Sequence, residues 1–369
     1  MAVPADIPAL PQRGTPDIPQ AIVFRRSSED VAAALNDVLL GMGADRPLFV
    51  FGRASREMLG RSLLIDLGAQ LACRSLDVLS AHLDEVAAVQ AAVASGECNA
   101  VVGVGGGQTL DVAKYAAYGA QLPFVAVPTQ ASHDGLSSPV AVLKGPGEAG
   151  SESYGARPPT ALVVPLSAIR AAPRRTLVGG IADLAVNMLA IADWQWAARF
   201  HGDPFDDYAA LLARSAAELL VARRDLYTPE TTFDDEDVEI LVHGLVLSGL
   251  AMTLAGSSRP CSGAEHLWSH AVDRLKAGHG LHGEQVAVGA VLAARFYDES
   301  HERVLALLRA VGAPMKPEDI GISREDALEA VRLVPEVRPG RHSRLSAAIA
   351  ADEGYVLEEA QAAWYGDGG

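Results

Sequence analysis

The feature that most constrains this chain is a change of period along its length. From Leu48 to Pro128, short β-branched or apolar runs alternate with stretches of helical spacing; after about Ser167 the short runs stop, and Ala and Leu recur every three or four residues. The first pattern belongs to parallel strands joined by crossover helices, the second to helices alone. The spacing predicts strands over Leu48–Gly52, Ser75–Ser80, Ala100–Val104, Pro123–Val127 and Ala161–Pro165, with helices over Arg56–Gly68 and Leu83–Ser95. Leu143–Pro158, polar and bearing Gly and Pro, predicts a loop or hairpin. Helices are expected over Thr176–Asp193, Phe205–Arg223, Val238–Ala255, Glu265–Lys276, Glu284–Glu299 and His301–Val311. The expected architecture is α/β: a loose arm over 1–20, a parallel-sheet domain over 21–168 and an all-α domain over 169–369, with the boundary near Leu166–Ala172. A ligand is expected in the cleft between the halves.

Charge and thiol content narrow the function. A formal charge of −16, from 30 basic against 46 acidic side chains, is wrong for neutralising a phosphate backbone, so nucleic acid is excluded as a partner. Cys73, Cys98 and Cys261 are scattered and form no C-x-x-C pair, which suits a reducing compartment and rules out a thiolate zinc knuckle. The segment from Met1 to Gln20 has neither a basic nor an apolar signal region, so a cytoplasmic protein is expected. No residue from Ile240 to Ser258 carries a formal charge, which raises the question of a membrane span. His243, Ser248, Gly249 and the acidic run Asp234–Glu239 favour a buried interior helix instead, and no span is expected.

Three groups of residues can carry chemistry. Gly103-Val104-Gly105-Gly106-Gly107 closes an apolar strand and opens a helix, where bare backbone and the helix dipole favour a phosphate; a plain tight turn uses the same residues. Asp111 and Lys114 follow on that helix, as phosphate neighbours or as first-turn charges. The next strand ends in Val127-Pro128-Thr129-Gln130-Ala131-Ser132-His133-Asp134-Gly135, at the carboxyl edge where open α/β sheets hold ligands; a turn bonded to its own backbone is the alternative. In the helical half, Asp183, His266 and His282 come from three segments, and one carboxylate with two imidazoles suits divalent iron or zinc with positions left open. Histidines at helix ends also cap or pair with carboxylates. His270, one turn after His266, is either its neighbour behind the metal or an alternative ligand.

Taken together, five strings resemble the superfamily of iron-containing alcohol dehydrogenases, glycerol dehydrogenase and dehydroquinate synthase, and within it the glycerol-1-phosphate dehydrogenase family. They are Gly105-Gly106-Gly107-x-x-x-Asp111-x-Ala113-Lys114, Pro128-Thr129-x-x-Ser132-His133-Asp134-Gly135, Gly180-x-x-Asp183, Ser258-Arg259-Pro260-x-Ser262-Gly263-x-Glu265-His266 and Leu281-His282-Gly283-Glu284-Gln285. They span most of the chain in the family's order. Gln108, Gln130 and Ala264 depart from the commoner residues.

The resemblance implies a dehydroquinate synthase-like fold in which a dinucleotide-binding sheet domain precedes a helical domain that binds metal and substrate. It implies one divalent metal, zinc, nickel or ferrous iron, on Asp183, His266 and His282, and favours His266 over His270. NAD(P)H is implied as cofactor, with Gly105, Gly106, Gly107 and Asp111 along its phosphates, Thr129 and Ser132 beside it, and Asp134 near the nicotinamide and substrate. The implied reaction is the reversible reduction of a small phosphorylated hydroxy-ketone, dihydroxyacetone phosphate, to sn-glycerol 1-phosphate. Arg53, after the first predicted strand, either meets the 2′-phosphate of NADPH or is a solvated arginine. Arg259 and His270 are the candidates for holding the substrate phosphate, against an interdomain ion pair and a packed imidazole. His270, Asp134 or an ordered water is the candidate proton source. A homo-oligomer is expected. The rival activities are reduction of another phosphorylated or phosphonate carbonyl, a glycerol dehydrogenase, a dehydroquinate synthase-like cyclase and a silent binding protein.

Overall fold

Runs such as Leu48–Phe51 and Val125–Val127 have no polar residue to turn towards water, so as strands they belong inside a sheet covered on both faces. The computed structural model, which describes residues 17–145, 151–276, 280–297 and 301–366, contains that sheet. Its strands are β1 (Ala21–Arg25), β2 (Pro47–Gly52), β3 (Arg74–Val78), β4 (Ala100–Gly105), β5 (Phe124–Pro128) and β8 (Ala161–Pro165). They run parallel in the order β1-β8-β5-β4-β2-β3. Strands β4, β5 and β8 are buried throughout, whereas the edges β1 and β3 carry Arg25, Arg74 and Asp77 and are partly exposed, as edges open to water should be. The chain moves outward from β2 to β3 and then returns through β4 towards β5, so the direction of winding reverses between β2 and β4. Open sheets of this kind bind ligands outside the carboxyl ends at that reversal, which places Gly52 and Gly105 side by side at the relevant edge.

Strand β6 (Val140–Lys144) pairs antiparallel with β7 (Ser151–Gly155), so the hairpin expected over Leu143–Pro158 begins earlier, at Val140. Strand β1 and the Ser28–Gly41 helix, capped by the Ser27 hydroxyl, were not expected from the period. The helix expected over Arg56–Gly68 begins at Arg53 and contains a π turn at Arg56–Gly60. Among the described residues every regular element after β8 is helical. The expected Thr176–Asp193 helix is longer and interrupted at Val186, giving Arg174–Ala185 and Asn187–His201. Three helices without an earlier expectation, Arg324–Val337, Arg344–Ala351 and Glu353–Tyr365, complete the chain. The last of them packs Trp364 on Trp268 at 5.3 Å between ring centres, and its indole donates to the Val288 carbonyl.

Two compact units result: Ile7–Arg174 with Phe233–Val242, holding the sheet, and Arg175–Thr232 with His243–Gly369, wholly helical among its described residues. Two helical runs, Arg174–His201 and Asp235–Ala255, are long and apolar enough to cross a membrane; their most apolar stretches are 89% and 56% buried inside the protein.

Candidate cofactor and metal sites

In the sheet unit, β4 delivers Gly105 to the reversal point and the Gly107–Ala120 helix starts two residues later. Gly106 stands at its N-cap with no side chain bonded there, so the first-turn amides and the dipole are available to an anion. The three glycines make a seat that side chains would fill. A Cβ on Gly105 would meet Thr109, one on Gly106 would meet Gln130, and one on Gly107 would come within 2.3 Å of the His133 ring. Thr129 is buried, and its amide donates to the Gly105 carbonyl at 2.9 Å, tying the β5 loop to the glycine turn. Ser132 is half-buried in that loop, and Asp134 opens a short 3-10 turn whose carbonyl accepts from the Ser137 and Ser138 amides.

Asp111, expected along the phosphates, has its carboxylate turned into the protein. Its Oδ1 receives Lys114 Nζ at 3.2 Å and its Oδ2 receives the Val142 amide at 3.1 Å. Lys114, wholly buried, also donates to the carbonyls of Gly135 at 2.6 Å and Val140 at 2.7 Å. The pair thus fixes the loop that carries Asp134 to the helix that follows the glycines. Arg53 stands at the end of β2 with its side chain exposed and only a loose approach to Glu57, at 3.9 Å.

In the helical unit, Asp183 lies on the Arg174–Ala185 helix, His266 on the Ala264–Leu275 helix and His282 at the first position of the His282–Ala293 helix. Backbone contact brings these helices together. A Cβ on Gly283 would lie 2.1 Å from the Gly179 carbonyl oxygen, and one on Gly289 would lie 2.6 Å from that of Glu265. Only glycine allows this approach at both places. The start of the His282 helix is further fixed by Glu284, whose carboxylate accepts from the Leu281 amide at 2.7 Å and takes a two-point ion pair from Arg175 at 2.9 and 2.6 Å.

The result is a convergent donor set. Asp183 Oδ1 is 3.5 Å from His266 Nε2 and 3.7 Å from His282 Nε2, and one donor atom of each residue lies within 4.8 Å of the others. Donors about 2.0–2.2 Å from a tetrahedral cation stand about 3.4 Å apart, so the three residues fit a single divalent ion. His266 Nδ1 bonds Glu265 Oε1 at 2.9 Å, the carboxylate arrangement behind an imidazole that leaves Nε2 for a metal. Glu265 is fully buried and its Oε2 has no hydrogen-bond partner among the described residues, a negative charge that a cation at His266 would balance. Without a metal, burial opposes charge on His266, but bonds to Asp183 and Glu265 outweigh it and raise the imidazole to about 9.

His270 does not join this set. Its ring centre is 6.3 Å from that of His282, and its Nε2 is 3.1 Å from an Arg338 nitrogen. Burial, then the charge of Arg338, holds it well below the usual histidine range, so at neutral pH it is an uncharged imidazole. Arg338 can only donate, which makes Nε2 the acceptor and leaves the proton on Nδ1. Arg259 is held by an ion pair to Asp203 and a bond to the His342 carbonyl at 2.7 Å, within the helical unit. Its guanidinium is therefore already matched. Sequence reasoning missed Glu265, Glu284, Arg175, Arg338 and Arg341. The first two stood inside strings that had been read, and an Arg-Pro-Gly-Arg turn was the available signal for the last two.

A model of the iron-containing alcohol dehydrogenase family matches residues 26–173, and the solved structure of a probable glycerol dehydrogenase from Sinorhizobium meliloti superposes with a TM-score of 0.74 at 25% identity, covering 94% of this chain and 96% of that one. The fold is that of the iron-containing alcohol dehydrogenases, a family of NAD(P)-dependent oxidoreductases. Glycerol-1-phosphate dehydrogenase [NAD(P)+] of Pyrococcus abyssi is 33% identical over 94% of this chain and 97% of its own, and that of Cenarchaeum symbiosum is 40% identical over 72% and 73%. This chain belongs to the glycerol-1-phosphate dehydrogenase family.

Proposed function

We propose that the protein catalyses the reversible reduction of dihydroxyacetone phosphate to sn-glycerol 1-phosphate with NAD(P)H and one divalent ion, zinc, nickel or ferrous iron. The observation that carries the reading is the convergence of Asp183, His266 and His282, backed by Glu265, in a chain whose family relatives bear that activity in their names. The ion supplies Lewis-acid polarisation of the ketone, and the nicotinamide supplies the hydride. Asp183, His266 and His282 hold the ion, and Glu265 keeps the His266 proton on Nδ1 so that Nε2 is the ligand. Gly105, Gly106 and Gly107 let the cofactor phosphates reach the first-turn amides of the Gly107 helix. Thr129 and Ser132 line the cofactor, and the Lys114 anchor holds Asp134 near the nicotinamide and ketone. His270 serves as a neutral hydrogen-bond donor through Nδ1 and does not supply an imidazolium proton. Fixed placement of the reactants is worth about 7–11 kcal/mol in favourable cases.

The test is nicotinamide oxidation by zinc-, nickel- or ferrous-loaded protein with phosphorylated and unphosphorylated dihydroxyacetone. Dihydroxyacetone phosphate is expected to be reduced far better, to a product consumed by an enzyme specific for the 1-phosphate enantiomer, and Asp183→Ala is expected to lose both metal and turnover. Equal rates on the two ketones identify a glycerol dehydrogenase. Absence of net cofactor oxidation identifies a cyclase or a binding protein, and full activity with stoichiometric metal in Asp183→Ala refutes the ligand set. Self-association belongs to the same proposal: Tyr208, Leu211 and Leu219 share one exposed face of the Asp207–Ala222 helix, and sedimentation is expected to give more than the monomer mass. We assign a cytoplasmic location on the three free thiols.

A further inference from the structure

The turn Arg338-Pro339-Gly340-Arg341 follows the Arg324–Val337 helix; Gly340 lies in it at φ +84°, and both arginines reach the Ser258 hydroxyl. Arg341 donates to the Ser262 carbonyl at 2.9 Å, to the Ser262 hydroxyl at 3.0 Å and to the Ser258 hydroxyl at 2.7 Å. Arg338 reaches Ser258 Oγ at 3.3 Å and His270 Nε2 at 3.1 Å. Among the described residues no carboxylate lies within ion-pair distance of Arg341, in contrast to Arg259, which Asp203 neutralises. Both guanidiniums are half-buried. Burial lowers Arg338 to about 10, and burial with the neighbouring Arg338 and Arg259 lowers Arg341 well below its usual value. Arginine keeps its proton even so, and the Arg341 guanidinium, which among the described residues meets two hydroxyls and a carbonyl, retains most of its demand for an anion. The cluster borders the metal ligands: Arg338 contacts His270, whose ring centre is 6.3 Å from that of His282.

We propose that Arg338 and Arg341, with the hydroxyls of Ser258 and Ser262, form the subsite for the phosphate monoester of the substrate, a role that falls to them and not to Arg259. The proposal rests on the reading of the substrate as a phosphorylated ketone. A phosphate presents oxygens spaced for two-point bonds from a guanidinium fork, and its charge supplies the counterion that Arg341 lacks. Its place beside His270 and His282 lets one ligand put a carbonyl at the donor set and a phosphate on the arginines.

The experiment uses zinc-loaded protein saturated with NAD+, so that the glycine turn is occupied, and titrates inorganic phosphate by calorimetry. Arg341→Gln is expected to weaken phosphate binding about ten- to a hundredfold, the effect of losing a charged hydrogen-bond donor. The preference for dihydroxyacetone phosphate over dihydroxyacetone should shrink by a similar factor, chiefly through KM. Arg341→Lys keeps the charge without the fork and is expected to fall between, and it serves as the test if Arg341→Gln does not fold. Wild-type phosphate affinity in a folded variant with normal zinc content overturns the proposal. If the wild type binds phosphate through Arg341 but reduces no phosphorylated ketone, the subsite stands and the proposed reaction fails. If the reaction occurs and the Arg341 variants keep both affinity and preference, the reaction stands and the subsite fails.

Discussion

Loading the metal should expel a proton, and the size of the effect follows from one side chain. In the metal-free protein, burial disfavours the charged His266, yet bonds to Asp183 and Glu265 raise it from 6.5 to about 9. At neutral pH it is therefore held largely in the protonated form. A metal ligand must offer a lone pair at Nε2, so each ion bound displaces about one proton from His266. The apparent association constant should therefore fall about tenfold for each pH unit below about 9, a penalty of about 3 kcal/mol at pH 7. Calorimetric zinc titrations in two buffers of different ionisation heat, from pH 6.5 to 8.5, measure the proton count and the slope together. The sign for stability is opposite in the two forms. A raised histidine stabilises the metal-free fold fully below 6.5 and loses that contribution as pH rises through about 9, whereas stabilisation by zinc grows over the same range. Proton release near zero, with affinity independent of pH, would refute the assignment of a protonated His266 between two carboxylates.

Gly283→Ala drives a methyl group into the Gly179 carbonyl; a loss of about 1–3 kcal/mol is expected together with weaker zinc binding, both read from denaturant titration with and without metal. Gly41→Ala, with no atom within 4 Å of the added carbon, is the control. Lys114→Met leaves Asp111 charged and buried without its partner, and should lower stability by about 3–5 kcal/mol; a change below the error of a urea titration would show that the pair is not structural. Arg53→Ala should reduce the preference for NADPH over NADH by about tenfold if the guanidinium meets the 2′-phosphate, and an unchanged ratio of kcat/KM values removes Arg53 from the site.

Local chemistry made much of the fold and donor set legible, and distance along the chain hid the rest. The buried strands were readable because β4, β5 and β8 are continuous apolar runs, while β1 was not, because Ala21–Arg25 is a half-exposed edge with no such pattern. Asp183, His266 and His282 each sat in a glycine-bearing string of the family resemblance, which collected them as a set; their spacing alone left capping roles and His270 open. What the glycines do was invisible: Gly283 and Gly289 acquire their meaning only from Gly179 and Glu265, on two other helices. Arg259 had looked available because its partner Asp203 is 56 positions away, and Arg341 was overlooked because Ser262 is 79 positions away. No periodicity reports such contacts. Asp111 was read from its place on the helix, whereas its carboxylate is engaged by Lys114 and by a hairpin strand that the sequence left undefined.

The Lys114 anchor bears on how this scaffold could be re-engineered. The loop from His133 to Val142 is a surface connection by sequence, the kind of segment usually exchanged between homologues to change specificity. Here it is an outrigger of the Gly107–Ala120 helix, moored by one ammonium at Gly135 and Val140 and by one carboxylate at Val142. Its position is inherited from the element whose first turn faces the glycine seat. A transplanted loop would keep its aim only if residues 111 and 114 travelled with it, so the unit of exchange is the helix and loop together.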